Sequence, residues 1–372
     1  MAGRRSAHSK PGRHINDPYP KTHRSADIAD HMPPSAHSDS MPQAPGARKP
    51  RRLGLWIPFG IAAILAAAWS AGWFLAAREV ERRLDAGVRD LAAGGVKVEW
   101  SGKRLSGYPF RLNMDMADLR VDTGTWTVRV PKFEAQAFLH APRSWLAAAP
   151  EGLTVFRPEG GGLEVRGRRL LSSLVLPKTG PLRLSVEGLG LSFSPAPGAR
   201  PFALASAGRL EFHLRPGPDD RAAVFLRLEE GAPTPGRLFA DLGGGGTVSA
   251  AVDARLDHIS ALRGGTPSQA LAAWGAAGGE LDLKEAGLTA GRTRVSLGAT
   301  GLRAGADGRL AGRVTMTTAR TPALLAALAR HGVLSPTEAA AGVTAALLLG
   351  KGRGDDVRLD LDLAGGEVRI AR

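Results

Sequence analysis

The chain has no cysteine in 372 residues. This excludes disulfides, thiolate nucleophiles and zinc–thiolate sites, and it suits an oxidising compartment, where an unpaired thiol is a hazard. Catalytic constellations are missing as well. His140, His213, His258 and His331 stand beside no Gly-x-Ser-x-Gly or comparable nucleophile motif. The tetraglycine at 243–246 lacks the Lys-Ser/Thr of a phosphate loop and reads as a flexible connection. Arg353-Gly354-Asp355 reads as a turn. Asp253, Asp257 and His258 come nearest to a polar cluster, yet on an alternating strand the two aspartates share one face and His258 the other. The expectation is a protein without catalytic activity, cofactor or metal.

Acidic residues are scarce at the amino end. Residues 1–54 hold ten Lys/Arg against four Asp/Glu, together with eight prolines, and up to position 52 only Ile15 and Ile28 represent Ile, Leu, Val and Phe. Such a segment cannot bury enough surface to order itself, so it is expected to be a disordered basic tail. Its five histidines, at irregular spacing and with no paired carboxylates, make no metal tract.

Long hydrophobic runs are absent with one exception. Residues 55–77, LWIPFGIAAILAAAWSAGWFLAA, contain no charge. As a helix rising about 1.5 Å per residue they cover roughly 35 Å, enough for a hydrocarbon core of about 30 Å. Pro58 falls in the first turn, where a missing N–H costs little. Arg48, Lys49, Arg51 and Arg52 precede the run without an acid nearby, whereas the far flank mixes Arg78, Glu79, Glu81, Arg82 and Arg83. That asymmetry predicts a single-pass anchor with a cytoplasmic amino terminus. A cleaved signal peptide is the alternative, but its apolar region is usually about 7–15 residues. Trp56, Trp69 and Trp73 suit the headgroup regions, although Trp69 lies deep enough to face a partner helix or lipid.

After the run, Val80, Leu84, Val88 and Leu91 recur at helical spacing between charged residues, which predicts an amphipathic connecting helix over 78–95 that ends at Gly94-Gly95. From Val96 the period changes to two. Leu210, Phe212, Leu214 and then Val224, Leu226, Leu228 alternate with polar residues, as in strands with one buried face. A loose repeat, apolar-x-apolar followed by Gly or Asp and then Leu, recurs over 112–119, 182–189, 281–288 and 295–302 and suggests strands kinked at that Gly or Asp. Thr266-Pro267, Thr321-Pro322 and Ser335-Pro336 mark helix starts, Ser335 with Glu338 forms a candidate capping box, and Gly332 stops the helix between them. The expected fold is mainly β: after the anchor, an elongated, curved antiparallel sheet over 96–372 with a few short covering helices.

The chain's +14 less the tail's +6 leaves +8 on the remainder, with basic and acidic residues interspersed. No run is basic enough for a nucleic-acid arm, and none is expected to bind.

Ser106-Gly107-Tyr108-Pro109-Phe110-Arg111 reads as a turn between strands. Gly107 is free to take positive φ, Pro109 extends Tyr108, and Phe110 is expected to supply a buried ring. Tyr108 is either a structural corner or a ring that orients a lipid headgroup. Arg111, with Lys103 and Arg104 nearby, is either a solvated strand residue or a phosphate contact. With the preceding apolar run, the RTRVSL stretch at 292–297, the DGRLAGRV stretch at 307–314 and the closing strand-Gly-Gly-strand, this segment resembles the bacterial family called domain of unknown function 2125. The resemblance implies a membrane-anchored protein of the bacterial inner membrane, its bulk periplasmic, with no established activity. The plan is also similar to that of AsmA-type envelope proteins, whose long β-rich grooves are associated with lipid handling. Two functions follow as expectations: shielding of lipid in envelope transport or homeostasis, or scaffolding of another envelope protein through sheet edges or the proline-initiated helices.

Overall fold

The computed structural model describes residues 53–177, 181–262, 267–349, 356–365 and 367–371. The basic tail, the Thr266 cap and the Arg353-Gly354-Asp355 turn therefore lie outside the described residues. From Pro58 onward the chain folds as one unit.

The apolar run and the amphipathic stretch form a single helix, α1 (Leu53–Ala93), with Pro58 in its interior. It stops where expected: Gly95 takes φ +85°, and the N–H groups of Gly94 and Gly95 donate to the Asp90 and Ala92 carbonyls. Trp56–Ala93 is long and apolar enough to cross a membrane.

Everything else is built on one seventeen-stranded antiparallel sheet. Its strands are β1 (Lys97–Glu99), β2 (Gly102–Ser106), β3 (Arg111–Asp122), β4 (Thr127–Phe138), β5 (Ser144–Ala148), β6 (Leu153–Arg157), β7 (Gly161–Arg166), β8 (Arg169–Val175) and β9 (Arg183–Pro195). They continue with β10 (Leu204–Pro216), β11 (Ala222–Pro233), β12 (Val248–Leu256), β13 (Glu280–Ala290), β14 (Thr293–Ala304), β15 (Leu310–Ala319), β16 (Asp356–Ala364) and β17 (Glu367–Ile370). From β9 to β17 each strand pairs with the next in sequence, a plain meander. The amino-terminal part is less simple. β1 and β2 share one edge of β3, β3 pairs with β4, and two short paths, β5–β8 and β6–β7, run side by side from β4 to β9. Register slips interrupt the β11–β12, β12–β13 and β13–β14 ladders; bulges of this kind bend and coil a strand.

The four repeat segments fall on strands β3, β9, β13 and β14, with only Leu182 lying just before its strand. Two of the predicted kink residues, Asp118 and Gly301, take positive φ, whereas Gly188 and Gly287 do not.

Four short helices complete the fold: α2 (Leu238–Gly243), α3 (Pro267–Ala276), α4 (Thr321–Arg330) and α5 (Pro336–Leu349). The Ser335–Glu338 capping box forms as expected, with Ser335 N–H donating to the Glu338 carboxylate at 2.7 Å and Glu338 N–H to Ser335 Oγ at 3.2 Å. Gly332, at φ +71°, ends α4. The expected Thr321 cap does not form. Arg320 occupies the cap position in the left-handed conformation, so Thr321 is already helical and its hydroxyl is buried without a partner.

Two apolar cores hold the helices in place. One gathers Leu204, Val248 and Ala290 beneath Leu242 of α2 and Leu324 and Ala327 of α4. The tetraglycine belongs here, and it is more than a flexible connection. Gly243 ends α2, Gly244 caps it in the left-handed conformation, and the chain packs so closely on Gly291 that a Cβ there would lie 2.1 Å from the Gly243 carbonyl oxygen. The other core joins Trp73 and Ala77 of α1 to Leu112 of β3, with Val80, Leu105, Leu139 and Trp145 around them.

Candidate functional site

In an antiparallel ladder directly opposed residues point to the same face, so the register decides which alternating residues become one surface. Starting from Leu112, the pairing runs Leu112–Ala137–Trp145–Leu174 across β3, β4, β5 and β8. It continues through Leu184, Leu214, Val224 and Ala254 on β9 to β12. Leu283, Ala299, Val314, Leu361 and Ile370 carry it over β13 to β17. Every member of this row, on thirteen strands, is apolar. Twelve steps of about 4.8 Å make it roughly 58 Å long. The adjacent row runs beside it as far as β16, through Val186, Phe212, Leu226, Val252, Ala286, Leu297, Met316 and Leu359, broken only by Ser172 on β8.

In the first row Leu112, Ala137, Ala254 and Val314 are buried, while its other members keep some solvent access. Leu184, Val186, Phe212, Leu214, Val224, Leu226 and Val252 are all half-buried, and none joins either core cluster. The cores close the face off at its margins instead. α2 and α4 cover Leu228, Leu288 and Val295, one row beyond, while α1 covers the start at Leu112 and Trp145.

The opposite face is charged and internally paired. Arg209 bridges Glu187 and Glu211 at 2.9 and 2.6 Å, Lys284 meets Asp253 at 3.4 Å, and Arg313 meets Asp362 at 3.1 Å. A shallow depression on this side is lined by Arg255, Asp282, Lys284 and Arg313, and most of these charges are already engaged, Asp282 by the Gly301 N–H.

At the start of the row stands the Gly107–Arg111 turn. Gly107 takes φ +102°, where a Cβ would lie 2.8 Å from the Arg111 carbonyl oxygen, and the Tyr108–Pro109 peptide is cis. Three hydrogen bonds fasten the turn to α1: Trp69 Nε1 to the Pro109 carbonyl at 2.9 Å, Ser70 Oγ with Tyr108 OH at 2.7 Å, and Trp73 Nε1 to the Arg111 carbonyl at 2.8 Å. Tyr108 stacks on Phe74 and meets Trp73 edge-on. Trp69 thus meets a turn of its own chain through its indole N–H. Phe110 is not the buried ring expected: Tyr108 takes the place against Trp73, and Phe110 lies beside Trp69 and is exposed, while the Arg111 guanidinium sits 5.4 Å over the Phe138 ring.

The Asp253/Asp257/His258 expectation needs correcting. β12 ends at Leu256, so Asp257 and His258 escape strand alternation; His258 turns left-handed and its Nδ1 comes to 3.3 Å from the Asp257 carboxylate. Asp253 pairs with Lys284 instead. Burial works against ionisation of Asp257, but hydrogen bonds from the Glu280 N–H and from His258 hold its carboxyl below the ordinary value. The pair serves a structural corner, where Trp274, fully buried, donates to the Asp257 carbonyl at 2.7 Å. Among the described residues no group of three or more His, Asp and Glu is placed to hold a metal ion.

A family described as an uncharacterized protein conserved in bacteria, DUF2125, matches residues 73–372. The chain belongs to this family. The match begins at Trp73, so it takes in the turn and both apolar rows, while Trp69 and Ser70, which also fasten the turn, precede it. Neither a curated protein nor a solved structure matches the chain.

Proposed function

We propose that this DUF2125 protein is a single-pass protein of the bacterial inner membrane, with its sheet in the periplasm, and that the apolar face of the sheet binds lipid acyl chains in envelope lipid transport or homeostasis. One observation carries this reading: an unbroken apolar row that starts against the membrane helix and crosses thirteen strands with its middle outside either core. The members of the row that are only half-buried, Leu184, Leu214 and Val224 among them, leave apolar area in water that a ligand would cover. Each CH₂ it shields contributes about 0.8 kcal/mol, so an acyl chain needs no polar chemistry to bind. The basic flank before the apolar run and the mixed flank after it support a cytoplasmic amino terminus.

The test is site-specific photo-crosslinking in bacterial cells on the full-length chain, with the photoreactive residue at Leu226 on the apolar face or at Arg227 on the charged face, followed by mass spectrometry of the adducts. Lipid adducts at Leu226 and none at Arg227 are expected. No lipid at Leu226, or equal labelling on both faces, overturns the reading.

The scaffold reading has one observation of its own. Among the described residues β17 pairs with β16 alone, and all four of its residues are exposed, which leaves an edge for strand addition by another protein. Protein adducts from β17, with none of lipid from Leu226, favour it.

A further inference from the structure

We infer that the Gly107–Arg111 turn and its aromatic neighbours are inserted into the bilayer, in the leaflet opposite the basic tail. This rests on the membrane-anchor part of the proposed function but not on the sheet carrying lipid.

Depth is the first ground. A hydrocarbon core of about 30 Å takes about 20 helical residues. Counted from Leu53, next to the basic Arg51 and Arg52, those residues end at Gly72. Trp69, Ser70 and Trp73 therefore stand at the far boundary of the core. The turn is fastened to all three by hydrogen bonds of 2.7–2.9 Å, so it cannot lie far from that boundary. A shift of the helix that carried the turn into bulk water would leave only about 16 residues, Leu53–Ala68, to span the core.

Chemistry is the second. In a chain with 5% aromatic residues, Trp69, Phe74, Tyr108, Phe110 and Phe138 gather at this one level. Tyr108 is 54%, Phe110 66% and Phe138 50% exposed to solvent in the isolated chain. The polar atoms of the cluster are already satisfied: both indole N–H groups and the tyrosine hydroxyl are bonded within it. A cluster with its polar atoms internally bonded and its ring faces open suits the headgroup–acyl boundary, where aromatic side chains concentrate. Arg111, stacked on Phe138, supplies a cation at the depth of lipid phosphates.

Continuity makes lipid the occupant. The aromatic surface adjoins the lipid-facing side of α1, where Leu65, Phe74 and Leu75 are exposed.

The absence of cysteine allows single-site labelling of the full chain. An environment-sensitive fluorophore is attached to Phe110→Cys or Phe138→Cys, and the protein is reconstituted in phosphatidylethanolamine/phosphatidylglycerol vesicles with and without acyl-chain spin-labelled lipid. Ile64→Cys on the membrane helix and Arg227→Cys on the charged face bracket the scale. Blue-shifted emission and quenching at positions 110 and 138 comparable to position 64 are expected. Water-like emission without quenching at both, as at position 227, overturns the inference; so does shielding from water without quenching by lipid, which points to protein contact. Two positions guard against a variant that fails to fold. Quenching at 110 together with no lipid adduct at Leu226 upholds the insertion and removes the lipid-carrying sheet. A lipid adduct without quenching does the reverse.

Discussion

The indole N–H of Trp73 donates to the backbone carbonyl of Arg111 across 2.8 Å, and the next residue along the strand, Leu112, is fully buried against the same indole. One side chain on the helix thus fixes both the end of the signature turn and the first residue of the apolar row. Helix and sheet are joined at the point where the row begins.

Trp73→Phe keeps a ring but removes the N–H, leaving the Arg111 carbonyl unbonded at that site; a loss of about 0.5–1.5 kcal/mol is expected. Trp73→Ala also empties the core pocket around Leu112 and Ala77, and about 3–5 kcal/mol is expected. Thermal unfolding of the full-length protein in detergent measures both. Equal effects of the two changes would mean that the ring contributes no packing.

The two kinds of apolar position on the sheet are predicted to respond differently to a charge. Val248→Asp places a carboxylate where the side chain has no solvent access, and folding is expected to fail. Leu226→Asp places it on the half-buried row, where water reaches it. The protein is expected to stay folded, by circular dichroism, and to lose lipid adducts from a photoreactive residue at Phe212, its cross-strand neighbour. Unfolding by Leu226→Asp would show that the row is core.

How much of this was legible in sequence depends on the range of the interaction involved. The alternation of Leu210, Phe212, Leu214 and of Val224, Leu226, Leu228 already shows strands with one apolar face, and proline and glycine mark most helix ends. These are local properties. The row itself exists only through register, because Trp145 reaches Leu184 by way of Leu174 on β8, and no spacing announces that β5 skips β6 and β7 to pair with β8. The tetraglycine misled for the same reason: its composition suggests flexibility, while the need for small residues comes from Gly291, distant in sequence. Thr321 failed as a cap because Arg320 takes a left-handed conformation that its residue type does not favour. The Gly-Tyr-Pro-Phe turn stood out as a motif, but its partners Trp69, Ser70 and Trp73 lay in a segment that composition explains as membrane span alone.

Gly291→Ala is expected to destabilise the fold by about 1–3 kcal/mol, because its Cβ would overlap the Gly243 carbonyl and the residue is held at φ +54°. Gly245, also at positive φ but with nothing within 4 Å, is the control: alanine there meets no neighbour and should cost less. Chemical denaturation of the two variants side by side checks the order. An inverted order would place the close approach elsewhere.

The capping box predicts a pH dependence confined to α5. The Ser335 backbone N–H, followed by its hydroxyl, holds the Glu338 carboxyl below its ordinary value of 4.5. A carboxyl whose folded pKa is depressed contributes stability that is present above its unfolded pKa and is lost as pH falls through the folded one. Backbone amides at the start of α5 are therefore expected to exchange faster in acid than the intrinsic rate change accounts for. Amides of α4, which lacks a side-chain cap, should show no such excess from this source. Glu338→Gln keeps an acceptor without the titration and should flatten the excess, while Ser335→Ala keeps the backbone donor but removes the hydroxyl that accepts the Glu338 N–H, and should raise exchange at every pH. Hydrogen exchange read by mass spectrometry at the peptide covering 335–342 decides it. An excess that persists in Glu338→Gln would assign the acid response to another group.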